Sequence, residues 1–566
     1  MRRIAVLGLT VWIVAFASPA DARPAQPDPT DAATGVVRQI CDLQWIDEVC
    51  SQFAYDDPQY VSGEDPNPDL PLVQRVGVFH EHSGYSDGDP TKKPADYFAA
   101  AKTGHNTADG GGDTGVILDF LLSSEHSENE KLPITTARAC IDPSTIPDGI
   151  AALDPKAIIP PLLCENVLAE DHYRKWAETL AQAVTATDFD DTAAEGTDPY
   201  TGFTAMRGYE WTNDYFNHLG VYFSRNVRNA KIDGSYVSMD FFWDWLRTPS
   251  TEGGGDDALV VFNHPGGNPS LSPFDGDLPI NQLLADVAGN GNWNNIALVA
   301  DVDDRVAGIE IRGGDDLSWY LRALSNGWHL GPVAAEDEHE TEWASSDDDK
   351  TVMLTRGRSP RDYYFALQNH RTVSIDSALV TGEPGTPAKV PSVLFWADGD
   401  SIDDPDATVL GGTVVGDGTH RLELDLAGLP EGHQAVLLGN ALDAPLALGT
   451  AGSDGRLRVG QDVAASTQAE RWWVVVTCAA EVTDCGVGED YSIVTAPIWV
   501  RSSSAQPGGV VTPVVPAPPA DGDVGDARLP ATGGAPTPWI VVAALVVGGV
   551  FVRSAVGGAA RPLDRS

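Results

Sequence analysis

Histidine and acidic residues recur together along much of this 566-residue chain. The first group is His80-Glu81-His82, with Asp87 a few positions later, and it follows a predicted strand from Arg75 to Phe79. Residues two apart in an extended strand point to the same face, so His80 and His82 can reach one metal ion. Asp87, in the turn that follows, is placed to bridge to a second ion. This spacing therefore predicts a metal site at the end of a strand.

Four further groups repeat the pattern, because each one ends a run that is predicted to be a strand. They are Glu125-His126, Glu210 followed by His218, Asn263-His264, and Glu336-Asp337-Glu338-His339. A single histidine near a strand end is most often a structural residue held by hydrogen bonds. About nine histidine and acidic side chains that meet at one place instead suit two or three divalent ions.

The elements that must position these groups alternate between strands and helices. Stretches with helical character at 94–102, 170–187, 241–246 and 316–325 alternate with apolar, β-rich runs between residues 70 and 385. This alternation predicts a parallel sheet or an α/β barrel, in which active sites lie at the carboxyl ends of the strands. Residues 386–501 instead show short alternating runs between Gly and Asp turns, which predicts a smaller antiparallel β-sandwich.

The ordered motifs resemble those of the PHP superfamily, named for polymerase and histidinol phosphatase, over about residues 73 to 375. The resemblance implies a distorted (β/α)7 barrel with two or three divalent ions, commonly zinc, manganese or iron. Carried over by position, the implied ligands are His80, His82, Asp87, His126, Glu210, His218, His264, Asp337 and His339. One motif departs from the family pattern, because Glu125-His126 stands where Asp-His is usual. A longer acid that is not itself a ligand would retune such a site rather than abolish it.

A site of this kind would use a metal-bound water, so no serine or cysteine nucleophile is required. Asp87, Glu210 and Asp337 are the candidates for bridging ions or accepting a proton. Arg207 and Arg312 are candidates for holding an anionic group, with a structural role as the alternative for both. Glu310 lies outside the motif set, and its role as a pocket residue or a structural carboxylate is left open.

The predicted function is a metal-dependent hydrolase, most simply a phosphoesterase that acts on small or polymeric esters outside the cell. A carboxylic or carbamic ester hydrolase is the first alternative, because residues 491–500 look like the end of exported PHP proteins grouped with carbamate-cleaving hydrolases. The second alternative is a non-catalytic surface protein that binds a partner or a glycan.

Charge and cysteine usage point to an exported protein. The formal net charge is −46, from 82 acidic and 36 basic residues, and such a surface repels nucleic acid. Residues 1–22 read as a signal peptide, with two arginines, an apolar run and a small-residue cleavage site. The cysteines form three sequence-local couples that suggest short-loop disulfides, namely Cys41 and Cys50, Cys140 and Cys164, and Cys478 and Cys485.

The far end of the chain resembles an LPxTG cell-wall sorting signal. The motif Leu529-Pro530-Ala531-Thr532-Gly533 precedes an apolar stretch at 539–552 and a basic tail. The resemblance implies that a sortase cleaves between Thr532 and Gly533 and joins the chain to peptidoglycan of a Gram-positive wall, with only transient membrane contact. A single transmembrane anchor is the alternative, but the stretch is shorter than the roughly 20 residues that a spanning helix needs.

The sequence thus predicts six regions. They are a signal peptide at 1–22, an N-terminal extension at 23–72, the metallohydrolase barrel at 73–385, the β-sandwich at 386–501, a Pro/Gly-rich spacer at 502–528 and the sorting signal at 529–566.

Overall fold

The computed structural model describes nine stretches of the chain, residues 65–106, 112–127, 174–188, 202–213, 216–232, 235–266, 291–442, 444–488 and 490–505. All of them belong to a unit that spans Met1–Pro513, and the second unit, Val514–Ser566, lies outside the described residues. The predicted signal peptide, most of the spacer, the sorting signal, and Cys41, Cys50, Cys140 and Cys164 also lie outside them. Within these stretches no helix combines the length and apolar character needed to cross a bilayer.

The strands fall into two runs along the chain. The first run comprises β1 (Val73–Glu81), β2 (Phe120–Ser123), β3 (Glu125–His126), β4 (Thr204–Met206), β5 (Gly208–Trp211), β6 (Leu219–Tyr222), β7 (Lys231–Ile232), β8 (Ser235–Tyr236), β9 (Leu259–Phe262), β10 (Val306–Glu310), β11 (Gly331–Val333), β12 (Ala335–Glu338), β13 (Lys350–Thr355) and β14 (Thr372–Ile375). The second run comprises β15 (Ser392–Ala397), β16 (Thr408–Val409), β17 (Thr413–Val415), β18 (Thr419–Ala427), β19 (Gln434–Gly439), β20 (Leu446–Thr450), β21 (Arg456–Ala464), β22 (Arg471–Cys478), β23 (Ile493–Thr495) and β24 (Ile498–Arg501).

Among the residues that the structure describes, the α-helices all accompany the first run of strands. They are α1 (Pro94–Thr103), α2 (Arg174–Ala186), α3 (Met239–Arg247), α4 (Gly291–Ile296), α5 (Asp316–Asn326) and α6 (Pro360–Gln368), with short 3-10 turns at Ser250–Glu252, Asp303–Arg305 and Ser377–Leu379. Local sequence explains where α6 begins. Pro360 occupies its first turn, and Ser359 and Asp362 form a reciprocal capping box that satisfies two backbone N–H groups.

A twelve-stranded sheet carries the first metal-site motif at its centre. Strand β1 pairs in parallel with β2 and with β12, and antiparallel with β13. Register shifts on both parallel sides between Phe79 and Glu81, where His80 has a φ of 69°. Such irregularities redirect side chains at the end of a strand, and they are frequent next to functional sites.

A six-stranded sheet faces the first one, in the order β11-β10-β9-β6-β5-β3. Phe79 and Phe120 of the larger sheet share a buried cluster with Leu259 and Val261 of the smaller one. The two sheets therefore share a buried interior, to which Tyr363 and Leu367 of α6 also contribute. The mixed α/β architecture that the sequence predicts is confirmed, but among the described residues the hydrogen bonding does not close the sheets into the predicted barrel.

The second run of strands continues the large sheet and adds a layer to it. Strand β14 pairs antiparallel with β23, so the twelve-stranded sheet crosses residue 385, where the sequence placed a domain boundary. A four-stranded sheet, β16-β15-β18-β21, packs against this extension through a core that includes Phe395, Leu424 and Ile498. The boundary itself stays a prediction. A disulfide joins Cys478 to Cys485 in this region, as one of the three cysteine couples predicted.

Candidate metal centre

The nine predicted ligands all come from the carboxyl ends of strands or from the loops that follow them. They meet as four overlapping groups, His82-Asp87-His126-His339, His80-Glu210-His264, His80-His82-Asp337 and His126-Glu210-His218. In each group the nitrogen and oxygen atoms that could bind an ion lie within 4.8 Å of one another. Two ligands about 2.1 Å from one ion are at most about 4.2 Å apart, so these separations need only small adjustments. The structure therefore places all nine side chains together.

Glu210 lies at the centre of this cluster and is only 1% exposed. Its Oε1 is 2.9 Å from His80 Nε2, 3.1 Å from His218 Nδ1 and 3.2 Å from His264 Nε2. Its Oε2 is 2.8 Å from His126 Nδ1. One buried carboxylate thus contacts four imidazoles, which suits a ligand shared between ions.

Asp87 and Asp337 lie on the solvent-exposed side of the cluster, which is its opening, with side chains 27% and 22% exposed. Asp87 Oδ1 is 3.2 Å from His126 Nε2 and 3.1 Å from His339 Nε2. Asp337 Oδ1 is 3.3 Å from His80 Nε2. These two acids are therefore both ligand candidates and accessible to solvent.

Two buried atoms of the cluster fit a metal ion better than they fit hydrogen bonding. Among the described residues, His82 Nε2 has no hydrogen-bond partner, and Glu210 Oε2 has none in hydrogen-bonding geometry, although His126 Nδ1 lies 2.8 Å from it. The closest contact of His82 Nε2 to an acid is 3.5 Å, to Asp337 Oδ1. Buried polar atoms rarely stay without a partner, and a divalent cation would satisfy both. The donor set present here therefore fits the ions that the sequence resemblance implies.

A set of supporting contacts holds the imidazoles in place. Glu310 is fully buried, with Oε1 2.6 Å from His80 Nδ1, and its Oε2 accepts the backbone N–H of His264 at 2.6 Å. Thr212 Oγ1 lies 2.6 Å from His126 Nδ1. Asn263 donates to Glu210 Oε1 at 2.9 Å. Glu310 acts here as a supporting carboxylate, because both of its oxygens contact ligand residues rather than the opening.

Sequence reasoning missed Thr212 and Asn263 as supporting residues. Both are adjacent to the motifs, since Thr212 follows Glu210 by two positions and Asn263 precedes His264. Proximity to a motif is a signal that could have marked them, but it does not say which neighbour turns inward.

The charges of the cluster balance one another. Burial raises the pKa of the three acids, but the facing imidazoles outweigh it and hold each pKa below its usual value. The largest such effect comes from His126 on Asp87, from His218 on Glu210 and from His80 on Asp337. Burial lowers the pKa of His80 and His126, but their acidic neighbours raise both well above normal.

His82 differs from its neighbours. Burial, followed by the nearby His339, lowers its pKa to about 3, so its ring is neutral as a ligand requires.

The two candidate arginines occupy different surroundings. Arg312 lies beside the ligand cluster, and its Nη1 donates to Asp337 Oδ2 at 3.0 Å. The side chain of Arg312 is 30% exposed. Arg207 is buried, its guanidinium is stacked over Trp176, and it donates to the backbone carbonyls of Trp176 and Ser224. Arg207 therefore has the contacts of a structural residue. Arg312 is partly exposed and can contact an anionic group of a bound substrate.

Several ligand residues have backbone conformations that L-residues rarely adopt. The φ angles of His80, His264 and Asp337 are 69°, 33° and 55°. Residues in this region are concentrated at functional sites, where the surrounding packing maintains the strain. The backbone thus supports the interpretation of the cluster as a built site.

Comparisons with known proteins give limited information. No protein-family model matches the chain. No curated protein matches it either.

Two solved structures resemble the chain at low similarity. One is a two-domain protein from Bacteroides vulgatus that contains a predicted PHP-like metal-dependent phosphoesterase; it is 17% identical, with a TM-score of 0.33, over 77% of this chain and 99% of that one. The other is PsfC from Pseudomonas syringae, 14% identical, with a TM-score of 0.26, over 54% of this chain and 91% of that one. Likenesses at this level carry no conclusion about fold or function.

Proposed function

We propose that this chain is a metal-dependent hydrolase of the PHP type that cleaves phosphate mono- or diesters. The observation that carries the proposal is the convergence of nine histidine and carboxylate side chains from separate strand ends. Bound divalent ions, such as zinc, manganese or iron, would activate a water and neutralise charge on the substrate's oxygens. The two facing sheets, with the site at their strand ends, support a PHP-type barrel whose hydrogen bonding is interrupted.

The three acids of the cluster differ in their exposure to solvent. Glu210 has almost no solvent access, so its role is that of a shared ligand. Asp87 and Asp337 border the opening, where Asp87 Oδ1 lies within 3.2 Å of His126 and His339, and Asp337 Oδ1 lies 3.3 Å from His80. Because both acids contact ligand histidines, we assign them to holding cations and orienting water.

Arg312 favours a phosphate ester over a neutral ester. Its guanidinium lies beside Asp337 and is partly open to solvent, and a guanidinium fork matches two oxygens of a phosphate. In this role Arg312 orients the anionic group of the substrate next to the ligand cluster. A carboxylic or carbamic ester would gain less from this contact.

The test measures metal content and hydrolysis on the same purified protein. Mass spectrometry is expected to find two or three ions per chain, and chromogenic phosphate esters to be hydrolysed until a chelator is added. His264→Ala should lose ions and turnover, whereas His105→Ala, at an exposed histidine outside the cluster, should keep both.

Two outcomes would redirect the proposal. Hydrolysis confined to carboxylic or carbamic esters would replace the phosphoesterase with the alternative ester hydrolase. A folded protein that takes up no ion from zinc or manganese and stays inactive would refute the hydrolase and favour a binding role.

We further propose that the enzyme is displayed on a Gram-positive cell wall. The order of motif, apolar stretch and basic tail after Leu529 supports this, together with the acidic composition and the signal-like first residues. Fractionation after wall digestion tests it: the chain should be released with peptidoglycan fragments, and Thr532→Ala should leave it in the membrane fraction. Equal release of both forms would refute sorting.

A further inference from the structure

A serine hydroxyl stands between the metal-site histidine His82 and a buried carboxylate that is not in any ligand group. Ser86 Oγ is 3.1 Å from His82 Nδ1 and 2.5 Å from Glu125 Oε2. All three side chains are at most 1% exposed. The contacts form a continuous chain from Glu125 through Ser86 to the ring that lines the proposed centre.

The surroundings of Glu125 require it to accept hydrogen bonds. The backbone N–H of Ser83 donates to Oε2 at 3.2 Å, and Tyr97 OH lies 3.3 Å from Oε1. Ser83 Oγ accepts the N–H of Tyr85 at 3.1 Å, so its own proton is available to Oε1 at 2.5 Å. An ionised carboxylate is an acceptor only, and it satisfies every one of these donors. The short contact to Ser86 is then a charge-assisted O–H···O bond, for which 2.5–2.7 Å is typical.

This accounting determines the hydrogen positions on His82. Ser86 has one hydroxyl proton, and it is donated to Glu125, so Ser86 can only accept from His82. The Nδ1 of His82 therefore carries the ring proton. Its Nε2 keeps a lone pair, and that atom is the one which faces Asp337 Oδ1 at 3.5 Å.

We propose that Ser86 and Glu125 are positioning residues for His82, which fix the ring as the Nδ1–H tautomer and direct the Nε2 lone pair into the ligand cluster. The inference rests on the proposed metal centre for its purpose. His80 obtains the same result more directly, because Glu310 Oε1 lies 2.6 Å from its Nδ1. Supporting contacts of this kind commonly change metal affinity by 10–100-fold.

Glu125 stands where the PHP motif usually has an aspartate, and its contacts define a role of its own. It reaches two hydroxyls and one backbone N–H of the loop that carries Asp87. Glu125→Gln would disrupt this arrangement in either orientation, because the amide NH₂ then faces a donor of Ser83.

The first test measures zinc affinity of the full chain by competition with a chromogenic chelator. Ser86→Ala and Glu125→Gln are each expected to weaken one bound ion by 10–100-fold, with the other ions held as in the parent. The double variant is expected to have the zinc affinity of the single variant that binds zinc less tightly, because both residues act through one chain of contacts. Ser124→Ala is the matched control, since Ser124 is buried next to Glu125 and no side-chain hydrogen bond joins it to Ser86 or His82 among the described residues. Ser86→Thr should restore affinity.

Three results would overturn the inference. They are unchanged zinc affinity in folded Ser86→Ala, losses that add in the double variant, or an equal loss in Ser124→Ala. Thermal unfolding of each variant identifies any that fail to fold, and Glu125→Gln then carries the test, since it preserves the side-chain shape.

The second test does not depend on metal. Nitrogen-15 NMR of the histidine rings in metal-free protein should show His82 protonated at Nδ1, with Glu125→Gln shifting protons to Nε2. A parent protein with the proton on Nε2 refutes the positioning role even if the protein binds ions. The expected tautomer in a parent that binds no ion would instead refute the proposed hydrolase while leaving the contact chain intact.

Discussion

Glu210→Gln should remove part of the metal centre while leaving another part in place. Glu210 belongs to two of the four ligand groups, and the groups His82-Asp87-His126-His339 and His80-His82-Asp337 do not include it. The variant is therefore expected to lose one or two ions and to keep at least one.

The expected loss of stability in Glu210→Gln has two parts, one from the ions lost and one from the buried contacts removed. At a zinc concentration of about 1,000 times the Kd, each bound ion stabilises the native state by about 4 kcal/mol, so this amount disappears with each ion lost. In metal-free protein, the carboxylate contacts four imidazoles within 3.2 Å. Removing one partner of a buried charged cluster typically destabilises by about 3–5 kcal/mol.

The assay combines ion content after dialysis with chemical unfolding in the presence and absence of zinc. Glu310→Gln is the graded comparison, because it keeps all nine ligands and should weaken affinity by about 10–100-fold without abolishing a site. Glu383→Gln, at an exposed position, is the surface control. A Glu210→Gln protein with the parent's ion content and zinc-dependent stabilisation would refute the reasoning.

Three further predictions test the fold and the metal dependence. Chelation should lower the unfolding temperature in calorimetry and zinc should restore it; an unchanged temperature would argue against a structural contribution of ions. His329 is partly buried, and although burial lowers its pKa, its contacts with Asp303 at 2.7 Å and Glu470 at 3.4 Å raise it to about 9. The protonated ring should contribute about 3 kcal/mol to the free energy of unfolding below pH 6.5, and this contribution should be lost as pH rises through 9. His329→Gln should remove that pH dependence in urea unfolding experiments. The same pH dependence of unfolding free energy in the parent and the variant would contradict the prediction. Gly77→Ala should destabilise by about 1–3 kcal/mol or more, because its Cβ would lie 2.4 Å from Phe120 O, whereas Gly112→Ala, which meets nothing, should be neutral in the same unfolding assay.

The parts of this protein that local spacing controls could be predicted well. The helix expected at 94–102 is observed as Pro94–Thr103, and that expected at 316–325 as Asp316–Asn326. Capping residues and hydrophobic spacing act within one or two turns, so the sequence contains the information directly. His80 and His82 do meet in one ligand group, although the φ of 69° at His80 and the register shift between Phe79 and Glu81 interrupt the regular strand on which that prediction was based.

The parts that depend on distant contacts could not be predicted. Glu310 and His80 are 230 positions apart, and nothing in either local sequence indicates that the carboxylate bonds the ring. The roles of Arg207 and Arg312 were equally open, because both follow or precede an acid at a strand end. The burial of Arg207 under its contact with Trp176, and the ion pair of the partly exposed Arg312 with Asp337, distinguish them.

The sequence by itself determined which chemical groups this protein can bring to a site, and that they lie at strand ends. The tertiary structure decided their arrangement. It gathered nine side chains into four overlapping groups, assigned Glu125 and Glu310 to support, and joined β14 to β23 across the expected boundary. The physical reason is that hydrogen bonds and burial act over a few ångströms in space, whatever the separation along the chain, so partners become visible only once the strands are placed.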